Sequence, residues 1–191
     1  MGLIALSGAK QGDIGMAFEA SGFDNAEKCA RRWASIFPDN FYIEIQRTGH
    51  SGMEQYLRHA VELADKLQLP VVATHPVQFL SQEEFAAHEA RTCISEGEIL
   101  SNKRRAHNFN ERQYFYTQEE MAELFADLPG AIQNSVEIAR RCNLVLELGH
   151  HKLPEFPTPD GMTLDEFLTS EAKHGLEMRL EELFPDEEER K

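Results

Sequence analysis

The residues best placed for chemistry end a short apolar run, VVATHPVQFL (71–80). In α/β enzymes the C-terminal ends of strands carry catalytic groups, and here His75, followed by Pro76 and Gln78, occupies such an end. A zinc-type site needs several His, Cys or carboxylate ligands converging on one point. No carboxylate stands beside His75, and Pro76 biases it toward extended geometry, so it is expected to be hydrogen-bonded scaffold. The chain holds eight histidines, and none of the others has a metal-ligand spacing. His150 and His151 are adjacent and would face opposite ways on a strand. His88-Glu89 begins a metalloprotease pattern, yet the fourth residue on is Thr92, not histidine. His50, His59, His107 and His174 lack sequence partners.

The run NKRRAHNF (102–109), with Tyr114, Phe115 and Tyr116 beyond it, combines basic and aromatic residues as single-strand binders do. Against a nucleic-acid role for Lys103, Arg104 and Arg105 stands a net charge of −14, because clustered cations supply most of that affinity. A solvated loop anchored by its aromatics is the expectation. There is no Gly-x-x-x-x-Gly-Lys loop, no nucleophile elbow and no dinucleotide fingerprint. Asp165-Glu166 and Glu181-Glu182 read as solvated helix faces.

The elements that position these groups follow from periodicity. Strands are expected at 3–7, 41–46 and 71–74, with GAKQGDIG as a turn after the first. Helices are expected at 24–36, which is capped by Asp24, and from Met53 to Leu67. Strand, helix, strand, helix, strand at these lengths is the pattern of parallel βαβ units, which gathers 5–9, 46–50 and 74–78 on one rim. After residue 80 the pattern turns helical. Capping boxes Ser81…Glu84, Thr117…Glu120 and Thr163…Glu166 open helices at 81–96, 117–127 and 163–182, with another at 129–142. NLVLEL (143–148) reads as one more strand, and the proline-rich LPEFPTPDG (153–161) as an extended linker.

The chain has 191 residues, 41% of them hydrophobic, enough for one packed core, and no window long and apolar enough for a membrane span. Met1 leads directly into LIALS, which argues against a signal peptide. Cys29, Cys93 and Cys142 are scattered and read as reduced core thiols of a cytoplasmic protein. Three parallel strands with so few helices leave a sheet face or edge uncovered, as expected of a piece of a longer protein or of a chain with a partner.

Taken in order, GLIALSGAKQGDIG, FYIEIQRTGHSGMEQYLRHAVELADKLQLPVVATHPVQFL, HEARTCISEGEIL, EEMAELFADLPGAIQNSVEIARRCNL and LPEFPTPDGMTLDEFL resemble consecutive blocks of the bacterial replicative DNA polymerase III alpha subunits. These are DNA-directed DNA polymerases, nucleotidyltransferases several times longer than this chain. The resemblance implies a partial PHP-type barrel (polymerase and histidinol phosphatase), distorted and TIM-like, of parallel strands and helices. A mainly helical segment follows it. Residues 1–150 would be the C-terminal portion of the PHP domain, and 151–191 the linker and leading segment of the palm domain. In metal-binding relatives a cysteine follows the LSG block and the third strand ends in Asp-x-His. The matching positions here are Ala9, Pro76 and Gln78.

By resemblance, then, the PHP part is expected to be a structural scaffold without metal or phosphoesterase activity, with no catalytic and no cofactor-binding residue in this segment. The Mg2+ chemistry of polymerisation belongs to the palm of the full-length protein. The implied partners are the remainder of the polymerase alpha chain and the proofreading exonuclease subunit, with DNA reached only through the full-length protein and no membrane. Self-association is expected where missing strands would leave apolar surface bare. The alternative is a residual PHP phosphoesterase dependent on zinc or manganese.

Overall fold

The computed structural model describes residues 2–102, 104–150, 153–154, 156–159 and 161–186. The chain divides into two compact units, Met1–Leu144 and Val145–Lys191. In the first, three parallel strands make one sheet in the order β1 (Ala5–Leu6), β2 (Phe41–Ile45), β3 (Val71–Ala73). Ala5 lies opposite Phe41, and Ile43 opposite Val71. Parallel neighbours require crossover connections. These are α1 (Asp13–Ser21) and α2 (Phe23–Ile36) between β1 and β2, and α3 (Met53–Leu67) between β2 and β3.

Alternation along FYIEIQ decides which side of β2 is apolar. Phe41, Ile43 and Ile45 share one face, and both isoleucines are fully buried. They join a core built with Ala26 and Ala30 of α2 and Ala60, Leu63 and Ala64 of α3. Alanines on the helices let them approach the sheet closely, and each buried isoleucine contributes about 1.5–3 kcal/mol of burial. Tyr42, Glu44 and Gln46 take the other face, so β2 presents a polar row there.

The helical half of this unit begins with a 3-10 turn, Gln82–Glu84, that runs into α4 (Phe85–Glu96). α5 (Gln118–Leu124) and α6 (Pro129–Arg141) follow. At α5 the Thr117 amide donates to the Glu120 carboxylate at 2.7 Å while the Glu120 amide donates to Thr117 Oγ1 at 3.2 Å. Two otherwise orphaned amides are satisfied together. α6 packs on β3, where Asn134 Nδ2 donates to the Val71 carbonyl at 2.8 Å. Its last turn reaches β2 through Arg141, which donates to the Tyr42 hydroxyl at 2.7 Å and to Asn40. In the second unit, Thr163 and Glu166 cap α7 (Leu164–Leu183) by the same reciprocal bonds. Among the described residues no helix is long and apolar enough to cross a membrane.

Three expectations are corrected. GAKQGDIG is not a simple turn: Ala9–Gln11 form a 3-10 turn and α1 starts at Asp13. Its glycines serve close approach, since a Cβ on Gly12 would lie 1.9 Å from the Ser7 carbonyl oxygen and one on Gly15 would lie 2.2 Å from that of Lys10. NLVLEL is not a strand; among the described residues 143–148 join no β-ladder, and Leu144 is 82% and Val145 85% exposed. An apolar run becomes a strand only beside a hydrogen-bonding neighbour, and none is present among the described residues. Cys142 is no core thiol but is exposed at the end of α6, whereas Cys93 is buried in α4.

Glycine substitutions discriminate these roles. Gly12→Ala is expected to lower the unfolding free energy by about 3 kcal/mol through overpacking against fixed backbone. Gly130→Ala, in α6 with open space around it, is expected to raise it by about 0.5–1 kcal/mol. Urea unfolding of the two variants checks both signs.

Candidate functional site

The C-terminal ends of the strands are bound to one carboxylate. After β1 the chain passes through Gly8 (φ 75°) and Ala9 (φ 49°), both left-handed. That turn directs the Gly8 amide at Glu44 Oε2, 3.1 Å away. The other carboxylate oxygen accepts from Gln46 Nε2 at 3.1 Å and from the Thr74 hydroxyl at 2.5 Å. The Glu44 backbone is held as well. Its amide donates to Ser7 Oγ at 2.8 Å, and its carbonyl accepts from the Tyr56 hydroxyl at 2.9 Å. Burial pushes the Tyr56 phenol up to about 12, with the Glu44 charge adding and a Ser7 hydrogen bond opposing. Ser7 and Gly8 follow β1, Thr74 follows β3 and Glu44 lies in β2, so one side chain cross-links all three strands.

The loops beyond these ends are joined by Gln113, which is 4% exposed. Its Oε1 accepts from the Asn110 amide at 3.0 Å and lies 3.2 Å from His50 Nε2. Its backbone carbonyl accepts from the Gln78 amide at 2.8 Å. Asn110 Nδ2 donates to the Thr48 carbonyl at 2.9 Å. Segment 110–114 therefore lies along 75–79 and closes one side of a cleft of about 580 Å³.

Ala9, Pro76 and Gln78 all line that cleft. The first two supply no side-chain donor atom and the third only a neutral amide, a poor ligand for a transition metal. Lys10, also on the wall, directs its ammonium to the Ser51 carbonyl at 3.1 Å and to Glu19 at 2.9 Å. Among the described residues no group of three His, Cys, Asp or Glu side chains is arranged to hold a metal ion.

Comparison with known proteins shows what the chain resembles. The PHP domain profile matches residues 1–48, from β1 through β2 to Thr48. The DNA polymerase III subunit alpha of Pseudomonas fluorescens is 54% identical over 184 residues, 96% of this chain and 16% of that protein. The subunit of Escherichia coli K12 is 47% identical over 189 residues, 99% of this chain and 16% of the relative. That of Neisseria meningitidis serogroup A is 48% identical over 190 residues, 99% and 17%. Over nearly its whole length the chain is similar to a segment of DNA polymerase III alpha subunits. It spans about 16% of the length of the relatives it matches.

The remaining candidate residues are dispersed. His75 stays off the cleft wall: its ring stacks on Tyr116 with centroids 4.3 Å apart, and Nε2 lies 2.9 Å from the Arg112 carbonyl. Burial holds its pKa below the ordinary value, partly opposed by hydrogen bonds to the Arg112 and Tyr114 backbone. His88 is buried in α4 against Phe79 and Phe109, and burial, then the nearby Arg91 charge, holds it low too. His59 packs on Phe18, and His150 and His174 are exposed. The basic-aromatic stretch does not form a stacking platform. Arg105 turns inward to Glu89, Tyr114 donates to Glu120 at 2.7 Å, and Tyr116 packs on Tyr114 and His75. Lys103 and His151 lie outside the described residues.

Sequence inspection missed the two hubs. The signal for Glu44 was available: an acid in a strand otherwise made of buried residues must find donors. Gln113 carries no comparable signal, since its partners lie 37 and 63 residues away.

Glu44→Gln turns one acceptor oxygen into a donor facing a donor. The expected loss is about 1–3 kcal/mol of stability in urea unfolding, and Glu44→Asp, which keeps the charge but shortens the reach, recovers only part of it. Acid sensitivity has a separate origin. His75 and His88 titrate below 6.5 in the folded chain, so as pH falls through that value the unfolded chain takes up protons first. Their contribution is complete above about pH 6.5 and is lost below it. Melting temperature is expected to fall between about pH 7 and 5, with a shallower fall in His75→Gln.

Proposed function

We propose that the chain serves DNA replication as a structural segment of a DNA polymerase III alpha subunit, its PHP part a metal-free scaffold. The observation that carries this is the convergence of Ala9, Pro76 and Gln78 on one cleft. By resemblance these are ligand positions in metal-binding PHP relatives, yet here they bring no ligand to the cleft. A scaffold role is further supported by Glu44, whose hydrogen bonds join strand ends that a metal cluster would otherwise join.

The scaffold is a portion of a distorted barrel that other parts of the alpha chain complete. The polar row of β2 suits the inside of such a barrel, and exposed Leu3 and Leu6 at the open edge of β1 suit a further strand. Residues 1–150 belong to it, and 151–191 lead into the palm, where Mg2+ supports polymerisation by the full-length protein. The family resemblance points to the proofreading exonuclease subunit as the docked partner, in the cytoplasm. Separated from the rest of the alpha subunit, the chain self-associates through its bare apolar surface.

Elemental analysis after incubation with zinc and manganese, followed by desalting, tests the metal-free scaffold. Well under one metal per chain is expected, together with no hydrolysis of p-nitrophenyl phosphate. One or more retained ions per chain with phosphatase turnover would establish a metallophosphoesterase instead. Co-elution of the full-length alpha subunit with its exonuclease subunit, weakened by deletion of this segment, tests docking.

A further inference from the structure

Beside the cleft, two buried N–H donors lack protein partners. His88 is 5% exposed. Its Nδ1 accepts from Arg91 Nη2 at 3.0 Å, which puts the hydrogen of the neutral ring on Nε2. Nε2 has no partner among the described residues. The Arg105 side chain is 9% exposed and its Nη2 donates to Glu89 Oε1, while its Nε–H is equally without a partner among the described residues. Buried donors are nearly always satisfied, by protein or by ordered water. Both side chains line one small cavity between α4 and the loop 105–109, together with Glu89, Thr92 and Glu96.

We infer that this cavity is the site of a single ordered water molecule that accepts from His88 Nε2–H and Arg105 Nε–H and donates its two hydrogens to oxygens drawn from Glu89, Glu96 and Thr92. The cavity measures about 10 Å³, close to the minimum of about 10–15 Å³ that one water requires. A water needs between two and four polar partners, and two donors with three oxygen-bearing side chains supply them. An anion is disfavoured on charge: Glu89 already neutralises Arg105, and two carboxylates border the space. The low His88 pKa agrees with a neutral ring whose Nε2 donates.

The water completes a clamp with a consequence for the main cleft. The loop held against α4 by Arg105 and Glu89 also presents His107, Asn108 and Phe109 to the cleft wall. The cation that looks in sequence like a phosphate contact is a positioning residue for that wall.

A high-resolution crystal structure of the full chain is expected to show one isolated density peak within hydrogen-bond reach of both nitrogens. In solution, the Arg105 Nε–H resonance is expected to give a cross-relaxation peak to a long-lived water. His88→Phe keeps the ring packed on Phe79 and Phe109 but removes one donor, and is expected to speed exchange of the Arg105 Nε–H about tenfold or more. A cavity without density, a peak in reach of only one nitrogen, or an anomalous bromide signal there after soaking would overturn the inference. The measurements on the unmodified chain decide it even if His88→Phe does not fold.

Discussion

The Glu44 carboxylate holds three strand ends at a common level, and the shape of the cleft depends on it. A carboxylate on a sheet carries a desolvation cost that only well-placed donors offset. Here the donors come from the residues that steer the chain away from the strands. Gly8 N–H fixes the left-handed turn that places Ala9 and starts α1. Thr74 fixes the departure of β3 toward Pro76 and Gln78. Gln46 fixes the start of the loop that carries Thr48 and His50. Because one acceptor is common to all three, the loops are coupled: displacing one of them weakens the restraint on the others.

Much of the scaffold was legible in the sequence because local signals and global demands coincide there. FYIEIQ alternates as a strand, the run from Met53 to Leu67 has an amphipathic stripe, and Thr117 and Thr163 sit three residues before the glutamates that complete their caps. Failures came where local and global demands part. The glycines of GAKQGDIG resemble turn punctuation, but Gly12 and Gly15 are small because backbone oxygens approach them closely. NLVLEL has strand composition, but among the described residues no strand pairs with it. The rim was legible because the βαβ rule gathers strand ends, here 5–9, 46–50 and 74–78, whereas the choice of Ala9, Pro76 and Gln78 within it came from the family resemblance. What joins those positions was not legible: Gln113 comes from a loop far along the chain, and its long-range hydrogen bonds have no periodic signature.

Two ways of cross-linking strand ends differ in what they ask of the sequence. A metal cluster requires several charged or imidazole ligands at fixed distances and a cation to neutralise them. The arrangement here uses one carboxylate with three donors, plus amides that donate and accept at once. Gln113 accepts from Asn110 and donates to Pro76, so it joins loops without adding charge. The cleft lining includes the neutral amides of Gln11, Gln46, Gln78, Asn108 and Gln113.

The second polar cluster, Arg105 with Glu89 and His88, answers the same physical problem on the other side of loop 105–109. A guanidinium removed from water must find acceptors for its hydrogens, and a buried imidazole must remain neutral. Pairing Arg105 with Glu89 satisfies the first requirement in part, and Arg91 donating to His88 Nδ1 favours the second. Both clusters convert groups that resemble chemistry in sequence, an acid in a strand and an arginine in a basic run, into restraints on the cleft walls. Each is engaged by its partners in holding the fold.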